Sequence, residues 1–391
     1  MKQLNQIRLH SASRPRVYVG LVGGNLDAPL SSIVGLHVVN NNFYEADTFE
    51  VRATLSGQPA PRNSESWWLD TPEIPVNISV ALSPGGTRKN LIYGRVDDAV
   101  VDPVSDEIIL SGRDLTGLLI DSRISGAQMA QYQNQTASQI VTALMAPFSS
   151  WFRNNAITTT TQSVGSYYGG NFLYLFRNRS VWDVITWLAQ TNVDSSGNPA
   201  PYVAYVSGNS LYWGPQNPPT GYFLIDWTKG KGSPTSNVTH LDLAHNLTLA
   251  KDIAVTVMGF NPLVGRYTST YSGKHNQGHT GGGSFSQSLY SSVGYQHFVY
   301  VVNGITPIQA QNLAQSKARE LSKHEYILRA TLPADTTLDP SQVVRLEGLS
   351  FGGQKTNDFW LNAVTWRFDL SSGFEMELWC KNHPVAQQVV L

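Results

Sequence analysis

Arg113 and Asp114 stand side by side where the strand-like run "DEIILSG" gives way to "LTGLLID". A charged pair at the tip of a strand is a frequent place for acid–base chemistry, because the strand fixes side chains beside an open loop. The same position also has a structural reading. Asp114 directly precedes a Leu-rich segment, and a carboxylate there serves as N-cap for a short helix leaving the sheet. Arg113 would then pair locally and brace the strand end. Helix caps fall so often at such a position that the structural reading is preferred, with the pair as a joint rather than an active site.

The other candidates are weaker. His275 and His279 in "HNQGH" have a metal-like spacing if helical, but glycines surround them, no carboxylate is near, and a solvated loop is expected. His240 and His245 are five apart in strand-like context and face opposite sides. The acidic residues are scattered among turns and strand edges, without the positioned pair that glycoside hydrolysis needs. Nucleophile-elbow, Walker A and dinucleotide-binding glycine patterns are absent. Trp67, Trp68, Trp182, Trp187, Trp213 and Trp227 suit either a sugar-stacking surface or core and interface anchors, and the second use is the commoner. No catalytic, cofactor-binding or metal-binding residue is assigned, and no enzyme activity is expected.

The elements that would hold these residues change type along the chain. From about residue 15 to 115 the pattern is β, and "VNISVAL" alternates strictly, with Val76, Ile78, Val80 and Leu82 on one face. "SPGG" and "DPVSD" are turns between strands of a meander. Helical periodicity then enters. Thr136 and Gln139 form a capping box before "ASQIVTALM", and Ser180 and Asp183 repeat it before "VWDVITWLAQ". "NFLYLFR", "YVAYVSGNSLYWG" and "GYFLIDW" read as strands, and residues 228–237 read as a linker. The clearest helix start is Thr306 as N-cap, Pro307 at the first helical position, and Gln309 closing the box. Strands then run to the end.

The expected division has three parts. Residues 1–118 form a first β-barrel-like domain with an N-terminal extension, and residues 119–236 a mixed α+β middle domain. Residues 237–391 form a second β-barrel-like domain, with a long loop at 268–292 and an inserted helix at 306–323. The fold class is therefore mainly β with α+β, two barrel-like domains flanking an unlike middle one.

Only 14% of the residues are charged, against about 25% in an ordinary soluble domain. A neutral surface rich in aromatics suits a protein packed against other subunits. The net charge of −1 argues against electrostatic gripping of nucleic acid. One cysteine, Cys380, excludes an internal disulfide and a cysteine-rich zinc site. "MKQLNQIRLH" lacks the apolar region of a signal peptide, and no run approaches the roughly 18 apolar residues of a membrane span. Assembly in a cytoplasm, without a membrane anchor, is expected.

Three stretches together resemble the baseplate hub (tail hub) proteins of contractile-tailed bacteriophages, the family that includes Mu-like hubs and late control D proteins. "LIYGRVDDAVVDPVSDEIILSGRDLTGLLIDSRI" is similar to that family's strand, glycine, valine–aspartate turn, second strand, Gly-Arg-Asp and Leu-rich segment. "RSVWDVITWLAQ" resembles the short helix of its middle domain. "TPIQAQNLAQSKARELSKHEYILRATLPADTTLDPSQVVRLEG" resembles the helix, strand, turn and strand of its second barrel. The likeness runs from about residue 45 onwards, and its order and spacing are more specific than any one motif.

The resemblance implies a structural homotrimer in the virion, at the tail baseplate. Its three subunits give a ring of six similar barrels, which adapts a six-fold tail tube, or a tube-terminating protein, above to a three-fold central spike below. Baseplate wedge proteins would flank it, and the genome would pass through its channel during DNA ejection without specific binding. The contrasting reading is a glycan-binding or cell-wall-active β-protein that uses the tryptophans as sugar platforms.

Overall fold

The computed structural model describes residues 16–21, 29–82, 86–164, 176–195, 200, 202–216, 221–227, 238–246, 253–273, 296–322, 326–338, 342–351 and 354–382. The expected linker at 228–237, the start of "NFLYLFR", His275 and His279, and residues 274–292 of the expected loop lie outside these, as does residue 323 at the end of the expected helix.

The chain is mainly β, with a few helices between its strands. Its largest sheet has twelve strands drawn from both ends of the sequence. Six come from the N-terminal part: β1 (Arg16–Leu21), β2 (Ile33–Asn41), β3 (Thr48–Thr54), β4 (Pro75–Ala81), β5 (Lys89–Asp102) and β6 (Glu107–Asp114). The alternation read from the sequence sets their inner face: Val76, Ile78 and Val80 of β4 are all fully buried. A helix that the β pattern concealed, α1 (Glu65–Asp70), interrupts them. It exists to bury Trp68, whose indole N–H donates to the Arg62 carbonyl at 2.7 Å.

The middle of the chain adds α2 (Thr116–Asp121), α3 (Gly126–Gln131), α4 (Ala137–Met145), β7 (Ala156–Ile157), α5 (Val181–Gln190), β8 (Tyr202–Ser207), β9 (Ser210–Pro215) and β10 (Tyr222–Asp226). The remainder adds β11 (His240–His245), β12 (Ile253–Asn261), β13 (Gly265–Gly273), β14 (Gln296–Val301), α6 (Pro307–Ser322), β15 (Tyr326–Pro333), β16 (Val343–Phe351), β17 (Gln354–Asp369) and β18 (Gly373–Asn382). Residues 268–273, expected as loop, continue strand β13. Their β-branched and aromatic residues pair with β12, Val255 opposite Tyr271 and Thr256 opposite Thr270.

The two β regions are joined. β2 lies antiparallel to β17, from Ala363 opposite Asn41 to Asp369 opposite Gly35. Among the described residues the large sheet runs as an open path from β1 to β11, with β10 and β16 branching from β17.

Two hydrophobic cores result, and they cut across chain order. The first packs Val51, Ile78 and Leu110 from the N-terminal strands with Leu328, Leu346 and Trp366 from the C-terminal ones, and takes in Phe223 and Ile225 of β10. The second packs α2, α4 and α5 with Trp213 of β9, Val255 and Val257 of β12, and Leu313 of α6.

Candidate functional site

The two cores meet where β6 passes into α2, and a cluster of charged residues lies there. The inner face of β6 runs Ile108, Leu110, Gly112, Asp114, so strand alternation alone turns Asp114 inward and Arg113 outward. Each of the paired strands carries a glycine before an arginine: Gly94–Arg95 on β5 and Gly112–Arg113 on β6. In register, Arg95 sits opposite Arg113, Gly94 opposite Asp114, and Val96 opposite Gly112. The backbones cross closely at this point. A Cβ on Gly94 would lie 2.1 Å from the Arg113 carbonyl oxygen, and one on Gly112 would lie 2.1 Å from that of Arg95. Glycine is the only residue that fits there.

Two like charges directly opposite would repel. Three carboxylates relieve them. Arg113 Nε donates to Asp97 Oδ2 at 2.6 Å, and its Nη2 to Asp121 Oδ2 at 2.9 Å. Arg95 Nη2 reaches the same Asp121 oxygen at 3.2 Å, and Glu73 lies 3.9 Å from Arg95 Nη1. Asp121 is the last residue of α2, so this cluster clamps the helix back onto the hairpin that precedes it. The hydrogen bonds from Arg113, to Asp97 first and then Asp121, hold its guanidinium charged.

Asp114 faces the opposite environment. It is 6% exposed, and its carboxylate accepts from Thr116 N at 3.1 Å and Thr116 Oγ1 at 2.8 Å. It therefore caps the first residue of α2 from two positions before it, while Leu115 between them already has helical dihedrals. Asp47, at the foot of β3, is the neighbour that sequence reasoning missed. It accepts from Asn41 N at 2.7 Å and from Asn40 Nδ2 at 2.8 Å, and its carbonyl accepts from Asp114 N at 3.0 Å. Burial pushes Asp47 up to about 6. Burial, and then the charge of Asp47, pushes Asp114 well above the usual carboxylate range.

The β2–β3 turn, "NNNFYEAD", completes the joint. Phe43 and Tyr44 take φ values of 60° and 65°, the left-handed region that bulky side chains avoid. Such a conformation costs on the order of 1–3 kcal/mol and persists only where neighbours fix it. Here they do. Asn42 Nδ2 donates to Leu361 O at 2.6 Å, on β17 in the large sheet. Tyr44 N donates to Ala204 O at 2.9 Å, its hydroxyl donates to Tyr202 O at 2.6 Å, and Trp182 Nε1 donates to Tyr44 O at 2.7 Å, all on the second core. Burial, and then the charge of Glu320, keeps the Tyr44 phenol protonated. On the far side, Lys381 of β18 pairs with Glu320 of α6 at 3.0 Å.

The remaining sequence candidates lie elsewhere. Thr136 and Gln139 exchange side-chain and backbone bonds at the start of α4, and Ser180 and Asp183 do so before α5. Thr306 N donates to Gln309 Oε1 at 2.8 Å, and Gln309 N to Thr306 Oγ1 at 3.2 Å, opening α6. His240 bonds Asp242 at 3.0 Å, and His245 stacks on Tyr326. Trp182 and Trp213 are buried with their N–H groups bonded inside, Trp213 to Ile185 O at 3.1 Å. Trp67, Trp187 and Trp227 pack against the cores. Trp68 lies within the first core, so all six of these tryptophans pack in or against a core. Cys380 is fully buried, which pushes its thiol far up. Among the described residues no His, Cys, Asp or Glu group could hold a metal ion, and no helix is long and apolar enough to cross a membrane.

Arg113 is engaged by two carboxylates, and Asp114 by a backbone amide and a hydroxyl. No protein-family model matches the sequence, and no curated protein matches it. Solved structures do match the fold. The chain is similar to a tail protein from Neisseria meningitidis, with a TM-score of 0.64 and 14% identity, covering 94% of this chain and 97% of that one. It is similar to the 43 kDa tail protein of prophage MuSo2 from Shewanella oneidensis, with a TM-score of 0.63 and 13% identity over 94% and 98% of the two chains. A prophage tail protein, gp18, from Listeria monocytogenes follows, with a TM-score of 0.54 and 12% identity over 95% of each. At these identities it is the backbone that is shared, and over nearly its whole length this chain has the fold of these tail proteins.

Proposed function

We propose that this chain is a structural protein of a phage tail, the hub of a contractile-tail baseplate. Three copies form a ring. Each contributes its two β regions, 1–118 and 237–391, as similar units, so that six units meet a six-fold tube or tube-terminating protein above while the trimer meets a three-fold spike below. Residues 119–236 form the middle domain, and wedge proteins attach around the ring. The ring is built in the host cytoplasm, remains in the virion, and passes the genome at ejection. The observation that carries this reading is the fold likeness to tail proteins over 94% of the chain. The joint supports it: a network that ties two cores together with its charges mutually satisfied suits a rigid load-bearing part better than an enzyme. Sedimentation or light scattering at near-physiological salt tests it. A trimer mass, alone or once a spike protein is added, is the expected result. A monomer under both conditions at high concentration would refute the ring.

A further inference from the structure

The two β regions repeat one another strand for strand. In the first, the hydrogen-bonded order is β4, β5, β6, β3, β2; in the second it is β16, β17, β18, β15, β11, with every neighbouring pair antiparallel. The registers agree as well. β5 and β6 make three pairs starting from Gly94 opposite Asp114, then β5 bulges by one residue before Asp98 meets Ser111. β17 and β18 make three pairs starting from Phe359 opposite Asn382, then β17 bulges by one residue before Ala363 meets Trp379. Counted from the bulge, Ala99, Val100 and Val101 correspond to Val364, Thr365 and Trp366. Across the sheet, Ser111 meets Glu50 and Glu50 meets His37, as Trp379 meets Arg329 and Arg329 meets Asp242. Strand β11 is therefore the counterpart of β2, and Leu241 and Leu243 correspond to Leu36 and Val38.

Within one chain only half of the possible contacts between these units is made. β2 lies against β17, with Val39 opposite Thr365 and Val38 opposite Trp366. The counterparts of those two edges are β11 and residues 98–101 of β5. Among the described residues neither has a strand on its second side: β11 pairs with β15 alone, and β4 pairs with β5 no further than Arg95. Burial marks the difference. At the joined edges Leu36, Val38, Val364 and Trp366 are at most 4% exposed. Their counterparts Leu241, Leu243, Ala99 and Val101 are only partly buried, and Val100 is 47% exposed. Open strand edges with apolar side chains are templates for further pairing.

We infer that β11 of one copy pairs antiparallel with residues 98–101 of β5 in a second copy of this chain. The contact repeats between subunits the β2–β17 contact made within each. Its register carries over from that contact, with Val100 opposite Ala244 and Val101 opposite Leu243. Each copy offers a different edge on each side, which is the head-to-tail arrangement that builds rings. That the ring closes at three rests on the hub reading above. The β5–β6 hairpin turns two residues sooner than its counterpart, so Asp102 and Asp242 face each other at the end of the ladder. Like charges there oppose pairing, and the contact tightens as salt screens them.

Val100→Cys combined with Ala244→Cys in the full chain, oxidised at near-physiological salt, tests the inference. Both positions are exposed, they lie seven strands apart along the sheet of one chain, and Cys380 is buried. Covalent dimers and trimers on a non-reducing denaturing gel, absent from either single variant, are expected. Val100→Cys with His240→Cys is four residues out of register, about 13 Å away, and should give none. Val100→Asp adds a third carboxylate at the contact and should raise the concentration needed for assembly at least about fivefold. A native trimer with no cross-link, or with equal cross-linking in the His240 pair, overturns this interface and leaves the hub reading standing. A wild type that stays monomeric with and without a spike protein overturns both. Linked products longer than three support the edge pairing and refute the trimeric ring. Equal melting temperatures under reducing conditions will show that the cysteine variants fold. If they do not, assembly unchanged by Val100→Asp overturns the inference by itself.

Discussion

Replacing Asp114 by asparagine and by alanine separates its two roles, as a cap and as a buried acid. Thr116 is fully buried, and both its amide and its hydroxyl depend on the Asp114 carboxyl. Alanine leaves that amide without an acceptor, at a cost of about 1–3 kcal/mol. Asparagine keeps the acceptor, and the Thr116 hydroxyl, which accepts as well as donates, turns to meet the new N–H. Asparagine thus stands in for the protonated acid. Burial and the charge of Asp47 hold Asp114 well above the ordinary carboxylate range in the folded chain. A group shifted that way stabilises the fold fully below its unfolded value, near 4, and loses this contribution as pH rises towards its folded value. Urea unfolding followed by tryptophan fluorescence at about pH 4, 6 and 8 reads both effects. At pH about 4, Asp114→Asn should match wild type and Asp114→Ala should fall below it by about 1–3 kcal/mol. As pH rises, Asp114→Asn should become progressively more stable than wild type. A gap that is constant with pH, or one that grows in favour of wild type, would refute the placement of a buried, proton-holding carboxyl here. An alanine variant as stable as wild type at the acid end would refute the cap.

Other consequences follow from the same geometry. Gly112→Ala drives a methyl group to 2.1 Å from the Arg95 carbonyl, so the β5–β6 crossing must open; the loss should reach about 3 kcal/mol or more, seen as a large fall in melting temperature or in soluble yield. Cys380 is fully buried with its thiol held protonated, so a thiol-specific reagent should label it only once denaturant unfolds the chain, and rapid labelling of the native protein would contradict that placement. With 27 basic and 28 acidic residues, the protein should show no appreciable duplex binding at physiological salt and only weak, steeply salt-dependent binding below it. Sub-micromolar affinity in a polarisation titration at about 150 mM salt would sink the passive channel.

What was legible in the sequence is what local rules decide. The alternation of Val76, Ile78 and Val80 needs only a strand with one dry face, and the capping boxes at Thr136, Ser180 and Thr306 are closed by residues three positions away. Arg113 and Asp114 are legible as adjacent charges at a strand end, but the residues they meet are not. Asp121 lies eight residues from Arg113, and Asp47 far upstream of Asp114, on a strand whose pairing no local pattern reveals. The turn at Phe43 and Tyr44 is more distant still. Its conformation is set by Leu361, Ala204 and Trp182, each far along the chain, and "NNNFYEAD" offers only a hint in its three asparagines, a residue type that tolerates left-handed turns. The pairing of β2 with β17 likewise unites residues more than three hundred positions apart, which periodicity cannot foresee.

The most direct test of the hub assignment is an electron-microscope image of the purified protein, alone and with a spike protein. A three-fold ring with a central opening wide enough for a duplex of about 20 Å is the predicted result. Separate particles of single-subunit size under both conditions, with no opening at any concentration tried, would contradict it.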